Sequence, residues 1–272
     1  MPDGIINSAL QLEEIATPTA TANNGKIYTK TDNDLYFQDG AGTEHRVVPS
    51  DYAGIFVDGN AVATTILLVD AWEPITIFDT DMPEIVSNGA HGTDNITIGA
   101  TEVYHVSFHL FGSSAANNKV FAFRVFEIAA SGDTITAATQ ANPCVVTAVG
   151  HSLNNGDNVK IDSVVGMVEL NGQMYTVANK AADTFELNDD NSANIDSTGY
   201  TAYGSAGVAY LASEVPESHA SRKFAVASDI GSISAGGFVS LITGDSLELH
   251  VKGTTDATNF TVEGAQFWMK RV

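Results

Sequence analysis

The chain has 272 residues and carries 12 Lys and Arg against 33 Asp and Glu, a formal net charge of −21. A surface that negative repels phosphate backbones and anionic lipid, which argues against nucleic acid and membrane surfaces as partners. The single cysteine, Cys144, rules out an internal disulfide, and no apolar run reaches the ~20 residues of a spanning helix.

The opening MPDGIINSALQLEE lacks the basic start and long apolar centre of a signal peptide. Ser8–Ile15 is the one helix candidate and is too short to persist alone. The stretch GKIYTKTDNDLYFQDGAGTEHRV, residues 25–47, predicts a short hairpin ribbon turned at Asp39-Gly40. Its sizeable apolar residues are Ile27, Tyr28, Leu35, Tyr36, Phe37 and Val47, with Val48 just after it, too few to form a core, and isolated hairpins are marginal in water. Residues 1–50 are therefore expected to be a docking arm. Tyr28, Leu35, Tyr36, Phe37 and Arg46 are its contact candidates, within a local cluster of positive charge (Lys26, Lys30, His45, Arg46) on an acidic chain.

A second section runs from residue 51 to 138. In EVYHVSFHLFG, residues 102–112, Tyr104, Val106, Phe108 and Leu110 alternate onto one strand face and His105, Ser107 and His109 onto the other. The two histidines lie about 13 Å apart at strand rise, too far to share a metal. The next strand, KVFAFRVFEIA, places Phe121, Phe123 and Val125 on one face. Val120, Ala122, Phe126 and Ile128 make the other nearly as apolar. A strand buried on both sides needs a cover for its second face, and a partner subunit is the expected one. Those residues are the candidate trimer interface.

Residues 139–210 pack several turn signals, Asn155-Gly156 and Asn171-Gly172 among them, between short runs carrying Val159, Ile161, Tyr175, Val177, Phe185 and Leu187. Cys144, followed by Val145 and Val146, reads as a buried inert thiol in a strand rather than as a nucleophile. Asp189, Asp190, Asn191 and Asp196 either gather a cation or form a solvated acidic loop. Residues 211–272 return to long alternating strands: in DSLELHVKG, Leu247, Leu249 and Val251 oppose Glu248, His250 and Lys252. The chain is thus all-β, with 51–138 and 211–272 as two halves of one sandwich interrupted by a small module at 139–210, whose ends must lie close together.

Chemistry is sparse. Asp79 and Asp81 would suit glycosidase work only inside a cleft, and there is no G-x-S-x-G and no phosphate loop. No enzyme activity, cofactor or metal is expected.

Three segments carry resemblances. Glu102 to Phe108 (G/E-x-Y-x-V-x-F), Gly244 to Val251 (G-D-x-L-x-L-x-V) and Gly264 to Phe267 (G-A-x-F) resemble the jelly roll of the C1q and tumour-necrosis-factor superfamily once the insert is removed. The insert pattern, H-x-L-x-x-G-D-x-V, G-M-x-x-L-N-G, Y-x-V and D-x-F-x-L from His151 to Leu187, is similar to a small β-barrel module. Phage tail and virion proteins share that module with the first catalytic-cysteine half-domain of ubiquitin-activating enzymes. The opening ribbon resembles N-terminal segments of phage fibre and decoration proteins. Together these imply a virion protein of a bacteriophage: a homotrimeric capsid decoration, cement or head-fibre protein bound to the major capsid protein or another virion protein. The alternative is a tail-fibre or tail-tip protein that binds a host glycan or receptor.

Overall fold

The computed structural model describes residues 14–31, 35–47, 52–78, 89–92 and 94–272. The helix candidate Ser8–Ile15 lies almost wholly outside these, as do Asp79 and Asp81. The chain divides into two units, Met1–Asp51 and Tyr52–Val272.

In the first unit, β1 (Lys26–Thr29), β2 (Leu35–Gln38) and β3 (Glu44–Val47) form an antiparallel three-stranded sheet in that order. The segment predicted as a hairpin ribbon therefore holds one strand more. The turn at Asp39 is also wider than an Asp-Gly turn. Asp39 Oδ1 accepts the N–H groups of Ala41 (2.9 Å) and Thr43 (2.8 Å), and it is Gly42, at φ 95°, that takes the left-handed conformation glycine tolerates.

The second unit begins with β4 (Tyr52–Asp58), β5 (Glu73–Pro74), β6 (Gly89–His91), β7 (Asn95–Ile98), β8 (Glu102–Ser114) and β9 (Lys119–Ile128). The middle region adds β10 (Asp133–Thr134), β11 (Ala137–Ala138), β12 (Val145–Thr147), β13 (Asn158–Val165), β14 (Met174–Ala178) and β15 (Thr184–Asn188). The chain closes with β16 (Ser205–Glu214), β17 (Ala220–Phe224), β18 (Ile230–Leu241), β19 (Ser246–Gly253) and β20 (Phe260–Arg271). One sheet of the sandwich runs β18-β8-β20-β4; the facing one runs β17-β9-β19-β7. Across the insert β9 and β17 pair within one sheet, while β7-β8-β9 and β17-β18-β19-β20 alternate between the sheets, which is the jelly-roll order. The core between them joins Tyr104, Phe108 and Phe267 to Phe121, Phe123, Val125, Leu247, Leu249 and Val251, the inward sets that alternation assigns.

The insert has its own core, in which Val159, Ile161, Tyr175, Val177, Phe185 and Leu187 are all buried with Cys144. It is nonetheless continuous with the sandwich. β16 pairs with β13 along 205–212 and then, through Ala212–Glu214, with Phe126–Ile128 of β9. A third cluster fills the seam: Trp72, Ala122, Phe126, Ile128, Met174 and Ala212. Trp72 meets Phe126 edge-on at 5.6 Å, and the Lys252 ammonium sits 4.7 Å from its ring centre.

This corrects the candidate trimer interface. Ala122, Phe126 and Ile128 are buried within the chain and Val120 is half-buried. The cover for the second face of β9 comes from Trp72 and from Met174 and Ala212 of β14 and β16, not from a partner subunit. The polar half of that face is covered too. Lys160 of β13 reaches Glu248 of β19 at 2.7 Å, and His250 Nε2 lies 3.1 Å from the same carboxylate, with Glu248 and His250 both buried. Burial alone would push the Glu248 carboxyl up, but the hydrogen bond and charge of His250, with the Lys160 ammonium, hold it at about 2.

Candidate interaction face

The outer face of the β18-β8-β20-β4 sheet is where large rings meet solvent. Its cross-strand rows follow from the registers. One row is Phe238, His105, Lys270 and Tyr52; the next is Gly236, Ser107, Trp268 and Gly54; the third is Ser234, His109, Gln266 and Phe56. Phe238 is 61% exposed. The His105 ring lies between Phe238 (4.9 Å) and Trp268 (5.3 Å), so these side chains form one continuous aromatic patch. None of these residues is a carboxylate, on a chain with 33. The acidic residues begin at the margin, with Asp58, Glu102 and Glu263.

β20 breaks its alternation at a bulge between Val262 and Gly264. The bulge leaves Gly264 facing the ring of Phe111, where an added Cβ would stand 2.4 Å from ring carbons. The missing side chain makes room for that ring, which with Phe56, Asp58, His109, Gly264 and Gln266 borders a dimple of about 340 Å³. The face therefore presents aromatic surface with a few amide, imidazole and hydroxyl groups and the Lys270 ammonium.

Other predicted site residues fall elsewhere. In the first unit Tyr28 is 2% exposed. Its ring stacks on Tyr36 at 5.9 Å and its hydroxyl donates to Glu44. Burial and the Glu44 carboxylate push the Tyr28 phenol up to about 12. Glu44 also accepts from Lys30 (2.7 Å) and Thr17 (2.7 Å), and the Lys30, Tyr28 and Thr17 hydrogen bonds hold its carboxyl at about 2. Tyr28 is thus buried in the chain already and offers a partner little, which corrects its place among the docking candidates. Leu35 and Tyr36 are half-buried; Phe37 is 38% exposed and stacks on His45 at 6.2 Å. Arg46 lies on β3, paired with Tyr36.

Among the described residues the carboxylates of the acidic loop do not gather into a metal-holding group. Asp189 Oδ1 caps its own turn by accepting from Asn191 and Ala193, Asp190 pairs with Lys252, and Asp196 accepts from Thr198. Cys144 is fully buried, and burial raises its thiol pKa, as the inert reading requires. Sequence reasoning missed Trp268, Phe238, Phe56 and Phe111. A signal was present: they neighbour the alternating core sets of their strands, on the positions left over.

Comparison with known proteins bears on two parts of the chain. Residues 141–212, about a quarter of its length, match the family model described as the ubiquitin-activating enzyme E1 FCCH domain. No curated protein matches the chain. Among solved structures, Eiger TNF from S. frugiperda is similar at 10% identity with a TM-score of 0.33, over 83% of this chain and 94% of that one. The jelly roll described above rests on the strand order of this chain, not on that likeness.

Proposed function

We propose that the chain is a structural protein of a bacteriophage particle, a homotrimeric capsid decoration, cement or head-fibre protein that acts by binding and stabilising. The observation that carries the self-assembly part is the aromatic, carboxylate-free outer face of the β18-β8-β20-β4 sheet. Copies of a chain with net charge −21 repel one another. They can meet at low cost only where negative charge is absent, and the cores of protein interfaces are rich in aromatic residues. The trimer therefore moves from the second face of β9 to this face. The resemblance of the jelly roll to a superfamily that usually forms trimers supports the number three. The resemblances of the opening ribbon and the insert support the particle. In the first unit the exposed Ile27, Phe37 and Val47 supply apolar contact for docking on the major capsid protein or another virion protein.

The dimple beside Gln266 and His109 favours a second reading, a tail-fibre protein whose aromatic face stacks on a host glycan. Labelling the protein on intact particles separates head from tail. Light scattering tests the assembly: Trp268→Glu or Phe238→Glu should give a folded monomer, and a wild-type chain that is monomeric at micromolar concentration would defeat the trimer. A chain shortened to begin at Ser50 should still assemble but fail to attach to particles stripped of the native protein. Attachment equal to that of the full chain would remove the docking role of residues 1–50.

A further inference from the structure

A second cleft, of about 290 Å³, lies at the seam between the sandwich and the insert. Glu73 of β5 and Gln173, just before β14, line it, and each is only 3% exposed. Glu73 accepts the N–H of Leu67 at 2.9 Å and a hydrogen bond from Gln173 Nε2. Among the described residues no lysine, arginine or histidine forms an ion pair with it. Two further buried polar atoms of the lining have no partner: Gln173 Oε1 and the Thr64 hydroxyl. The carboxylate and the amide oxygen can only accept. Above them the walls are apolar and open, with Val62, Leu67 and Ile77 in the lining and Val62 and Leu67 largely exposed.

A buried carboxylate without a counter-charge is costly, and so is a buried acceptor left unmade. The group that answers all three is one with several donors, a positive charge and no acceptor, which describes an ammonium. The apolar rim adds a requirement for a hydrocarbon stem, since such stems lie along apolar surface while their charged head finds polar partners. The volume is at the small end of ligand sites, enough for one side chain or a small amine. We propose that the cleft formed by Glu73, Gln173 and Thr64 at the seam binds a primary alkylammonium group, either a free amine or the lysine side chain of a partner. Burial, which raises the Glu73 carboxyl above its ordinary range, is the cost that a bound ammonium would relieve.

The test uses the full chain at 150 mM salt, which screens diffuse attraction of cations to an acidic surface. Calorimetric titration compares pentylammonium, 1-pentanol of the same shape, and Nα-acetyl-lysine methylamide. Pentylammonium should bind at least tenfold tighter than pentanol, and Glu73→Gln should remove that difference. A control change of an exposed carboxylate, Glu217→Gln, should leave it intact. If Glu73→Gln does not fold, Thr64→Val keeps the shape and should weaken pentylammonium several-fold. Binding of the lysine amide as well as pentylammonium assigns the site to a partner lysine; binding of pentylammonium alone assigns it to a free amine. Equal binding of amine and alcohol, no binding of any amine, or full binding by Glu73→Gln overturns the proposal.

Discussion

Phe126 separates two accounts of the same strand face. If a partner subunit covers it, Phe126→Ala weakens assembly and spares the fold of each chain. If the chain covers it, the substitution empties a site inside one chain. Phe126 is fully buried, 5.6 Å from the Trp72 ring centre and 5.2 Å from that of His250. Phe→Ala at a site of that kind costs about 3–5 kcal/mol, a large share of the ~5–15 kcal/mol that holds a domain together. With a urea dependence of about 2–3 kcal/mol per molar, the unfolding midpoint should fall by roughly 1 to 2.5 M.

Phe121→Ala, on the opposite face of the same strand and equally buried, should cost a similar amount. The assay is urea unfolding followed by tryptophan fluorescence, since Trp72 reports on this cluster, with light scattering on the same samples. A Phe126→Ala chain that unfolds within about 0.3 M of wild type but has lost oligomeric mass would refute the covering by Trp72, Met174 and Ala212. A loss of midpoint at unchanged mass supports it.

The remaining predictions concern charge. Glu248, with its carboxyl held at about 2 against ~4.3 for a free glutamate, contributes about 3 kcal/mol. This contribution is present above pH ~4.3 and lost as pH falls through 2, so Glu248→Gln should flatten the acid limb of the stability curve; an unchanged acid limb would contradict the pairing. Lys160→Met leaves the buried Glu248 with His250 as its remaining partner and should cost about 1.5–3 kcal/mol, the scale of one hydrogen bond to a charged group; a variant as stable as wild type would refute the pairing. In the first unit, Glu44 should titrate by NMR at about 2, its ion pair with Lys30 fully present above pH ~4.3 and lost as pH falls through about 2. A midpoint near 4.3 would mean that the three-stranded sheet does not hold it.

What could be read from the sequence depended on how far apart the deciding contacts lie. Tyr104, Val106, Phe108 and Leu110 declare their face because a strand repeats every second residue, and Val159, Ile161, Tyr175 and Val177 do the same within the insert. The second face of β9 declared only that it is apolar. Its cover comes from Trp72, some fifty residues earlier, and from Met174 and Ala212, some fifty to ninety residues later, and no local period encodes that. The outer aromatic face was hidden for a different reason. Phe267 and Trp268 are adjacent and both large, so hydrophobicity cannot say which points inward. The choice is made by the bulge between Val262 and Gly264, which resets the alternation so that Ala265, Phe267 and Met269 enter the core. Trp268 is thereby turned outward, beside His105 and Phe238. A one-residue shift at a glycine thus decides whether β20 presents a phenylalanine or a tryptophan to whatever the sheet meets. Deleting Glu263 removes the extra residue and leaves Val262 opposite Gly112 and Gly264 opposite Phe111 in an unbroken register, so Trp268 should stay outward and Phe267 inward; tryptophan fluorescence showing Trp268 buried in that variant would refute this account of the bulge.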